Sequence, residues 1–277
     1  MQDNKAEELG KIAFIVGTGG LAEQVISTAK INNLDFIVAG INGFSDKSIV
    51  NSHKHFWFYM GQVGDLIEKL KQNNIKSVVL AGAIKRPSLW ALKLDNVGHK
   101  LLKEQFSKAK GDNSLLTLVI KTFEDNGFKV VSPQQIAPNI LSDRKIYTKN
   151  NISEEYLEEI KEAVDIARKI SVFDIGQSLV YQQNMVVAVE AVEGTSNMIL
   201  RSKKLLKKHG RKGFLVKLKK LNQDVRVDLP TIGENTIKNL HKAGLAGVVI
   251  DAGNTIILNE EQTIKLANKH NIFVISI

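Results

Sequence analysis

The sequence predicts an α/β protein in which a doubly wound parallel sheet is followed by a second, mixed α/β domain. Three observations support this prediction. Short apolar strands alternate with helical stretches through the first half, the pattern of a parallel sheet. A turn-rich segment at 135–152 carries no sustained apolar period. The second half contains two strands separated only by Gln183 and Asn184, which predicts a hairpin.

The first-half elements follow from apolar runs and helical periodicity. The run at 77–84 is continuously apolar, as in a strand buried on both faces. The predicted elements are strands at 11–16, 35–41, 55–60, 77–84 and 128–132 and helices at 21–32, 63–73 and 113–126.

The second half begins with a helix whose N-cap is Ser153, and a capping-box spacing at Thr231–Glu234 predicts a later helix that ends at Gly244. We expect three segments: residues 1–134, a linker at 135–152, and a second domain at 153–277. The predicted elements are strands at 178–182, 185–191, 213–217, 224–227, 246–250, 255–258 and 272–277 and helices at 153–170, 195–208, 231–243 and 259–270.

Composition excludes several classes of protein. The 277 residues include no Cys, so a disulfide scaffold and thiolate chemistry are excluded. No apolar run approaches the roughly 20 residues that a membrane-spanning helix needs. The first ten residues do not resemble a secretory signal, so we expect a cytoplasmic protein.

The net charge of +9 comes from one segment, because residues 201–220 contain ten Lys and Arg and no acid. Phe214 is the single aromatic residue there, so we expect no nucleic-acid partner. The cluster favours a phosphate site or contact with anionic lipid headgroups. A solvated helix face is the alternative.

A glycine-rich turn follows the first strand as Gly17-x-Gly19-x-x-Ala22. Glycines there let a phosphate approach the backbone N–H groups at a helix start, and Gly20 and Leu21 belong to the same turn. The second strand ends without the acid that normally holds a dinucleotide ribose, which argues against NAD. A tight turn without a ligand is the alternative.

Two more loops of the first half are candidate ligand contacts. Gly82, Lys85 and Arg86 follow the fourth strand, where open parallel sheets bind ligands. An ordinary basic loop explains them equally well. Asp112 precedes a helix and either caps it or contacts a ligand.

Carboxylates and cations near strand ends mark the second domain. Glu190 lies in an apolar strand, where an unpaired charge is costly. Glu193–Thr195 follows it, and Asp228 stands beside Arg226 before a turn. With Lys217 as a further cation, these residues indicate an oxygen-ligand metal such as Mg²⁺ that also engages a substrate phosphate.

Several segments together resemble one family. They are IVGTGGL (15–21), AGAIKRP (81–87), GDNSLL (111–116), FDIGQSLV (173–180), VVAVEAVEGTSNMI (186–199), NQDVRVDLPTIGENTI (222–237) and AGLAGVVIDAG (243–253). In this order over the whole chain they resemble the LpxI-type UDP-2,3-diacylglucosamine pyrophosphatase family of lipid A biosynthesis.

The resemblance implies a Mg²⁺-dependent hydrolase that splits UDP-2,3-diacylglucosamine into 2,3-diacylglucosamine 1-phosphate and UMP. It also implies a Rossmann-like amino-terminal domain and a homodimer. The family's essential aspartate corresponds to Asp228. We therefore expect Asp228 and Arg226 as catalytic residues and Asp228 and Glu190 as metal ligands. The expected substrate contacts are Gly17, Gly19, Gly20, Leu21, Gly82, Lys85, Arg86, Asp112, Gln177, Glu190, Glu193, Gly194, Thr195, Lys217 and Thr231.

The acyl chains of such a substrate require an apolar cleft, which we expect between the domains, near the helix bearing Met198, Ile199, Leu205 and Leu206. The neighbouring Lys203, Lys204, Lys207 and Lys208 would rest on the inner membrane. Two alternatives remain open: a nicotinamide-dependent oxidoreductase built on the glycine turn, and a non-catalytic carrier of a nucleotide-sugar lipid.

Overall fold

A computed structural model describes residues 2–84, 92–108, 112–149, 152–221 and 223–277. The chain divides into two compact units. Unit 1 comprises Met1–Pro138 and Asp224–Val227, and unit 2 comprises Asn139–Gln223 and Asp228–Ile277. The short segment Asp224–Val227 therefore belongs to unit 1 although its chain neighbours on both sides belong to unit 2.

Unit 1 contains a five-stranded parallel sheet of order β3-β2-β1-β4-β5. The register places Val16 opposite Gly40 and Ala81, so the carboxyl ends of three strands meet at one edge. The strands are β1 Ile12–Val16, β2 Phe36–Ile41, β3 His55–Phe58, β4 Ser77–Ala81 and β5 Lys129–Val131. This arrangement confirms the predicted parallel sheet.

The helices of unit 1 cover apolar strands, and Leu70, Ile120 and Phe123 are buried in the resulting core. Full burial of such a side chain contributes about 1.5–3 kcal/mol. The helices are α1 Gln2–Leu9, α2 Gly20–Ile31, α3 Lys47–Asn51, α4 Val63–Gln72, α5 Asn96–Lys108, α6 Asp112–Asp125 and α7 Pro133–Ile136. We did not predict α1, α3, α5 and α7.

Unit 2 contains a mixed five-stranded sheet of order β12-β10-β8-β6-β7 and a two-stranded sheet of β9 and β11. Strands β6 and β7 are antiparallel, and the turn between them places Gln183 at φ 48° and Asn184 at φ 60°, which confirms the predicted hairpin. The strands are β6 Ser178–Gln182, β7 Met185–Val189, β8 Phe214–Lys217, β9 Thr231–Ile232, β10 Gly247–Ile250, β11 Ile256–Ile257 and β12 Phe273–Ser276.

The helices of unit 2 pack on both faces of its sheet, around buried side chains such as Tyr181, Phe214 and Leu240. They are α8 Glu154–Ser171, α9 Gly194–Ser202, α10 Glu234–Ala243 and α11 Glu260–Lys269. The left-handed conformation of Gly244, at φ 79°, ends α10 as predicted. None of the helices in the described ranges is both long and apolar enough to cross a membrane.

One predicted element of the second half is wrong, and two predicted helices have different bounds. Residues 224–227 form a turn instead of a strand, because the Asp224 carboxylate accepts the backbone N–H of Arg226 at 2.9 Å. Helix α9 ends at Ser202 instead of Lys208, since lysines at 203, 204, 207 and 208 would repel one another on a helix. Thr231 is a strand residue, and Gly233 is the N-cap of α10.

Part of the segment predicted as a linker forms backbone hydrogen bonds with other residues of unit 2. Within unit 2, the Ser142 N–H donates to the Thr255 carbonyl at 2.9 Å and the Tyr147 N–H donates to the Val274 carbonyl at 2.9 Å. Ile140 is also buried. Backbone pairing of this kind leaves no apolar period, which is why the sequence pattern does not show it.

Asp95 connects the amino-terminal ends of two helices in unit 1. One carboxylate oxygen accepts the N–H groups of Gly64 at 2.6 Å and Asp65 at 3.2 Å, both in the first turn of α4. The other oxygen accepts the Gly98 N–H at 2.7 Å, in the first turn of α5. One carboxylate therefore satisfies donors of two helices that have no intrahelical acceptor.

We predict that Asp95→Ala lowers the free energy of unfolding by about 2 kcal/mol, because two helix caps are lost together. Asp95→Asn retains one acceptor oxygen and is expected to lose about half as much. Urea denaturation measures both variants. Equal stability of the wild type and Asp95→Ala would contradict the double-cap interpretation.

Candidate functional site

The glycine turn of unit 1 lies at the carboxyl edge of the parallel sheet, where such sheets bind ligands. A Cβ atom on Gly17 would lie 2.3 Å from the Ala83 carbonyl oxygen. Thr18 and Ala83 exchange two backbone hydrogen bonds of 2.8 Å. Glycine at position 17 is therefore required by the contact between two loops.

Gly19 and Gly82 both have positive φ angles, 95° and 96°. A Cβ atom on Gly82 would lie 2.8 Å from the Thr18 carbonyl oxygen, whereas the corresponding space beside Gly19 is open. Gly20 and Leu21 begin α2, whose first N–H groups lack intrahelical acceptors. Gly19 is thus the position at which a ligand can approach this turn most closely.

A cleft of about 470 Å³ adjoins Gly19 and Gly20. Glu23 and Asp46 give its wall two carboxylates. The side chain and backbone N–H of Ser48 donate to Asp46 and lower the pKa of that carboxyl group. Acidic walls disfavour a phosphate inside this cleft, so the cleft itself is a poor nucleotide site.

Other predicted contacts of unit 1 fall outside the described residues. This holds for Lys85 and Arg86 and for the side chain of Asp112, although α6 does begin at Asp112.

The main polar cluster of unit 2 consists of Ser178, Glu190, Thr195 and Lys217. Sheet pairing brings these residues together, because Ser178 lies opposite Lys217 and the Glu190 N–H donates to the Ser178 carbonyl at 2.9 Å. Thr195 enters from the first turn of α9. The cluster thus lies where β6, β7 and β8 meet one helix start.

A chain of hydrogen bonds runs through the cluster. Lys217 Nζ donates to Thr195 Oγ1 at 2.7 Å. Thr195 Oγ1 donates to Glu190 Oε1 at 3.0 Å. Ser178 Oγ lies 3.4 Å from the same threonine oxygen. We call this arrangement the Lys217–Thr195–Glu190 chain.

Both ends of the chain are ionisable side chains and are buried. Lys217 is 6% exposed and Glu190 is 8% exposed. Burial lowers the pKa of Lys217, while the nearby negative charges of Glu190 and Asp228 act in the opposite direction. Asp228 is half-buried. The site therefore combines one interior cation with two carboxylates.

One carboxylate oxygen of this cluster has no hydrogen-bond partner among the described residues. Glu190 Oε2 is buried, and no described residue forms a hydrogen bond with it. A buried acceptor without a partner is costly, so a water or a cation is expected to satisfy it.

Glu193 lies outside this chain. Its Oε1 accepts from Arg201 Nε at 2.9 Å and Nη2 at 2.7 Å, and these bonds lower the pKa of Glu193. Gly194 follows at φ 79°. The sequence interpretation missed Arg201 and Ser178, because neither residue stands out from its neighbours in polarity or spacing.

Gln177 and Thr231 contact protein groups of unit 2. Gln177 Oε1 accepts from Gln223 Nε2 at 3.4 Å, and Thr231 Oγ1 donates to the Leu229 carbonyl at 3.1 Å. These contacts fix the backbone on either side of the turn that leads to Asp228.

Arg226 belongs to unit 1 and forms two ion pairs there. Its guanidinium binds Asp224, with Nη2–Oδ2 at 2.8 Å, and Glu124, with Nη1–Oε1 at 2.6 Å. Both carboxylates raise its pKa. Since Val227 packs against the core of unit 1, this pairing fastens the turn 224–227 to that unit.

The four apolar residues expected near an acyl-chain cleft differ in burial. Met198 and Ile199 are fully buried in the core of unit 2, and Leu206 packs against that core. Leu205 is 57% exposed. Met198 and Ile199 are therefore packing residues of the unit 2 core.

The carboxylates of this cluster can be compared with the ligands that Mg²⁺ prefers. Within the described parts of the chain, no group of three or more His, Asp or Glu side chains is arranged to hold a metal. Mg²⁺ often uses only one or two protein carboxylates and completes its shell with water and substrate phosphate. The unpartnered Glu190 Oε2 and the carboxylate of Asp228 fit that donor chemistry.

Comparisons with known proteins cover both units. The family model for the LpxI N-terminal domain matches residues 11–140, and that for the LpxI C-terminal domain matches residues 143–275. A curated protein of Caulobacter vibrioides, UDP-2,3-diacylglucosamine pyrophosphatase LpxI, is 33% identical over 273 residues, which is 96% of this chain and 97% of that protein. The chain belongs to the LpxI family.

Proposed function

We propose that this protein hydrolyses the diphosphate bond of UDP-2,3-diacylglucosamine in lipid A biosynthesis and releases UMP and 2,3-diacylglucosamine 1-phosphate. The observation that carries the proposal is the Lys217–Thr195–Glu190 chain beside Asp228. Family membership and the printed activity of the Caulobacter vibrioides relative support it.

Hydrolysis of a diphosphate joins a water oxygen to one phosphorus and breaks the bridging P–O bond, with the proton released to a base or to solvent. Asp228 is proposed to accept a hydrogen bond from that water and orient it. Lys217 supplies a fixed positive charge near the developing negative charge, where a preorganised group is most effective. Fixed charges in a partly dry site need no reorganisation during the reaction.

Asp228 and Glu190 are proposed as the residues that would hold Mg²⁺. When bound, the ion neutralises phosphate oxygens and lowers the pKa of coordinated water. Glu190 contributes its buried Oε2, which has no described hydrogen-bond partner.

The other predicted contacts are proposed in two groups. The turn of Gly17, Gly19, Gly20 and Leu21, together with Gly82, presents backbone groups for a ribose, since the acidic wall beside Gly19 and Gly20 disfavours a phosphate. Gln177, Glu193, Gly194 and Thr231 shape the surface around Asp228. Lys85, Arg86 and Asp112 are also proposed as substrate contacts, and their side chains lie outside the described part of the chain. Arg226 is still proposed as a catalytic residue, and its ion pairs with Asp224 and Glu124 hold its turn in place.

Two other functions are less well supported. An oxidoreductase would need an acid at the end of β2, and that strand is followed by Asn42, whose side chain donates to the Phe58 carbonyl. A non-catalytic carrier would bind the same lipid without releasing UMP. The buried cation and its carboxylates favour hydrolysis over both.

We further propose that the protein is cytoplasmic and binds the anionic inner membrane peripherally. Lys203, Lys204, Lys207 and Lys208 are exposed, as is Leu205. Gln182 holds their loop, since its side chain accepts the Lys207 N–H at 2.8 Å. A fixed group of cations beside an exposed leucine suits a surface of anionic headgroups. A homodimer is proposed on the family resemblance alone.

The catalytic proposal predicts that Asp228→Ala lowers kcat for UMP release about 10²–10³-fold, since one preorganised electrostatic group is lost. EDTA is expected to abolish wild-type turnover, and added Mg²⁺ to restore it. Asp143→Ala, which removes an exposed carboxylate of the same unit, is the control. Near-full turnover by Asp228→Ala, or turnover in EDTA, would overturn the corresponding assignment.

The membrane proposal predicts that replacing the four lysines at 203, 204, 207 and 208 by Gln weakens binding to phosphatidylglycerol vesicles at least tenfold. Each lysine near such a surface contributes about 1 kcal/mol. A variant with Lys121, Lys161, Lys242 and Lys265 replaced by Gln has the same net charge and is expected to bind like the wild type. Equal losses in both variants would mean that only overall charge matters.

A further inference from the structure

Thr195 occupies the centre of the buried polar cluster, and all of its hydrogen-bonding capacity is used there. A threonine hydroxyl has one proton and two acceptor lone pairs. Its proton goes to Glu190 Oε1 at 3.0 Å, and one lone pair accepts from Lys217 Nζ at 2.7 Å. With the threonine proton committed, Ser178 Oγ at 3.4 Å is the donor to the second lone pair.

Because the Thr195 hydroxyl has no free hydrogen-bonding capacity, it is unsuited to direct binding of a substrate phosphate and suited to orienting Glu190. A hydroxyl without free capacity cannot bind a substrate phosphate unless it gives up an interior bond. It can instead fix the direction of the Glu190 carboxylate, because its proton holds one oxygen. The other oxygen, Glu190 Oε2, is then left buried and without a described partner.

We propose that Thr195 is a positioning residue. Its hydroxyl links Lys217 to Glu190 and holds the Glu190 carboxylate so that Oε2 faces the reacting groups. The inference rests on the proposed function for its effect on turnover. It replaces the expectation that Thr195 binds substrate directly. Groups that orient a ligating carboxylate typically change activity 10–100-fold when they are removed.

The test compares Thr195→Val, which removes the hydroxyl at nearly constant volume, with Thr195→Ser, which keeps it. We expect Thr195→Val to lower kcat for UMP release 10–100-fold while KM changes less than threefold. Thr195→Ser is expected to stay within threefold of the wild type. A raised KM with unchanged kcat would show direct substrate binding and overturn the proposal, as would wild-type kinetics of Thr195→Val.

A second readout uses the metal-free protein and no substrate. Thr195→Val is expected to lower the urea midpoint of unfolding in the wild-type background. The same substitution is expected to cause a smaller shift in a Glu190→Met background, where the Lys217 contact is still lost but no carboxylate remains to be held. Equal shifts in both backgrounds would mean that Thr195 does not act through Glu190.

The kinetic and urea measurements distinguish a failure of the proposed function from a failure of the Thr195 inference. If the wild type releases no UMP, the proposed function fails, and the urea cycle still decides whether Thr195 holds Glu190. If the wild type turns over and Thr195→Val turns over equally well, the inference alone fails. Should Thr195→Val not fold, Thr195→Ala removes the same hydroxyl and is judged by the same criteria.

Discussion

The burial of one lysine ammonium, that of Lys217 at the end of β8, is the constraint on which the site of unit 2 depends. An unpaired charge in a protein interior is too costly to persist. The sheet therefore places Glu190 within reach through β7, and α9 begins where Thr195 can link the two. The meeting of three strands and one helix start places the groups that compensate this charge.

In unit 1 the candidate site is formed by backbone groups and not by charged side chains. Its glycine turn and the loop after β4 approach so closely that no side chain fits between Gly17 and Ala83. This contact fixes the edge of the sheet without any charged group. Gly19 then remains the open position of the turn. One unit thus offers backbone donors, and the other offers fixed charges.

Sequence patterns predicted the strands best, because each buried strand needs a continuous apolar run that periodicity can show. They failed where polar groups decide the structure. Residues 224–227, predicted as a strand, form a turn because of the Asx-type bond of Asp224. Asp95 caps a helix that the apolar pattern did not predict. Glu190 was identifiable as a lone charge in an apolar strand. The burial of Lys217 was not, since a lysine in a basic segment gives no sign of whether it faces solvent.

The most direct test of this account is the free energy of unfolding of Lys217→Met, measured with and without Glu190→Gln. The account predicts that Lys217→Met alone costs about 3 kcal/mol or more, because Glu190 is left buried without its cation. Adding Glu190→Gln removes the uncompensated carboxylate and is predicted to recover most of the lost free energy of unfolding. Additive losses, or no loss from Lys217→Met, would contradict the claim that charge compensation organises this site.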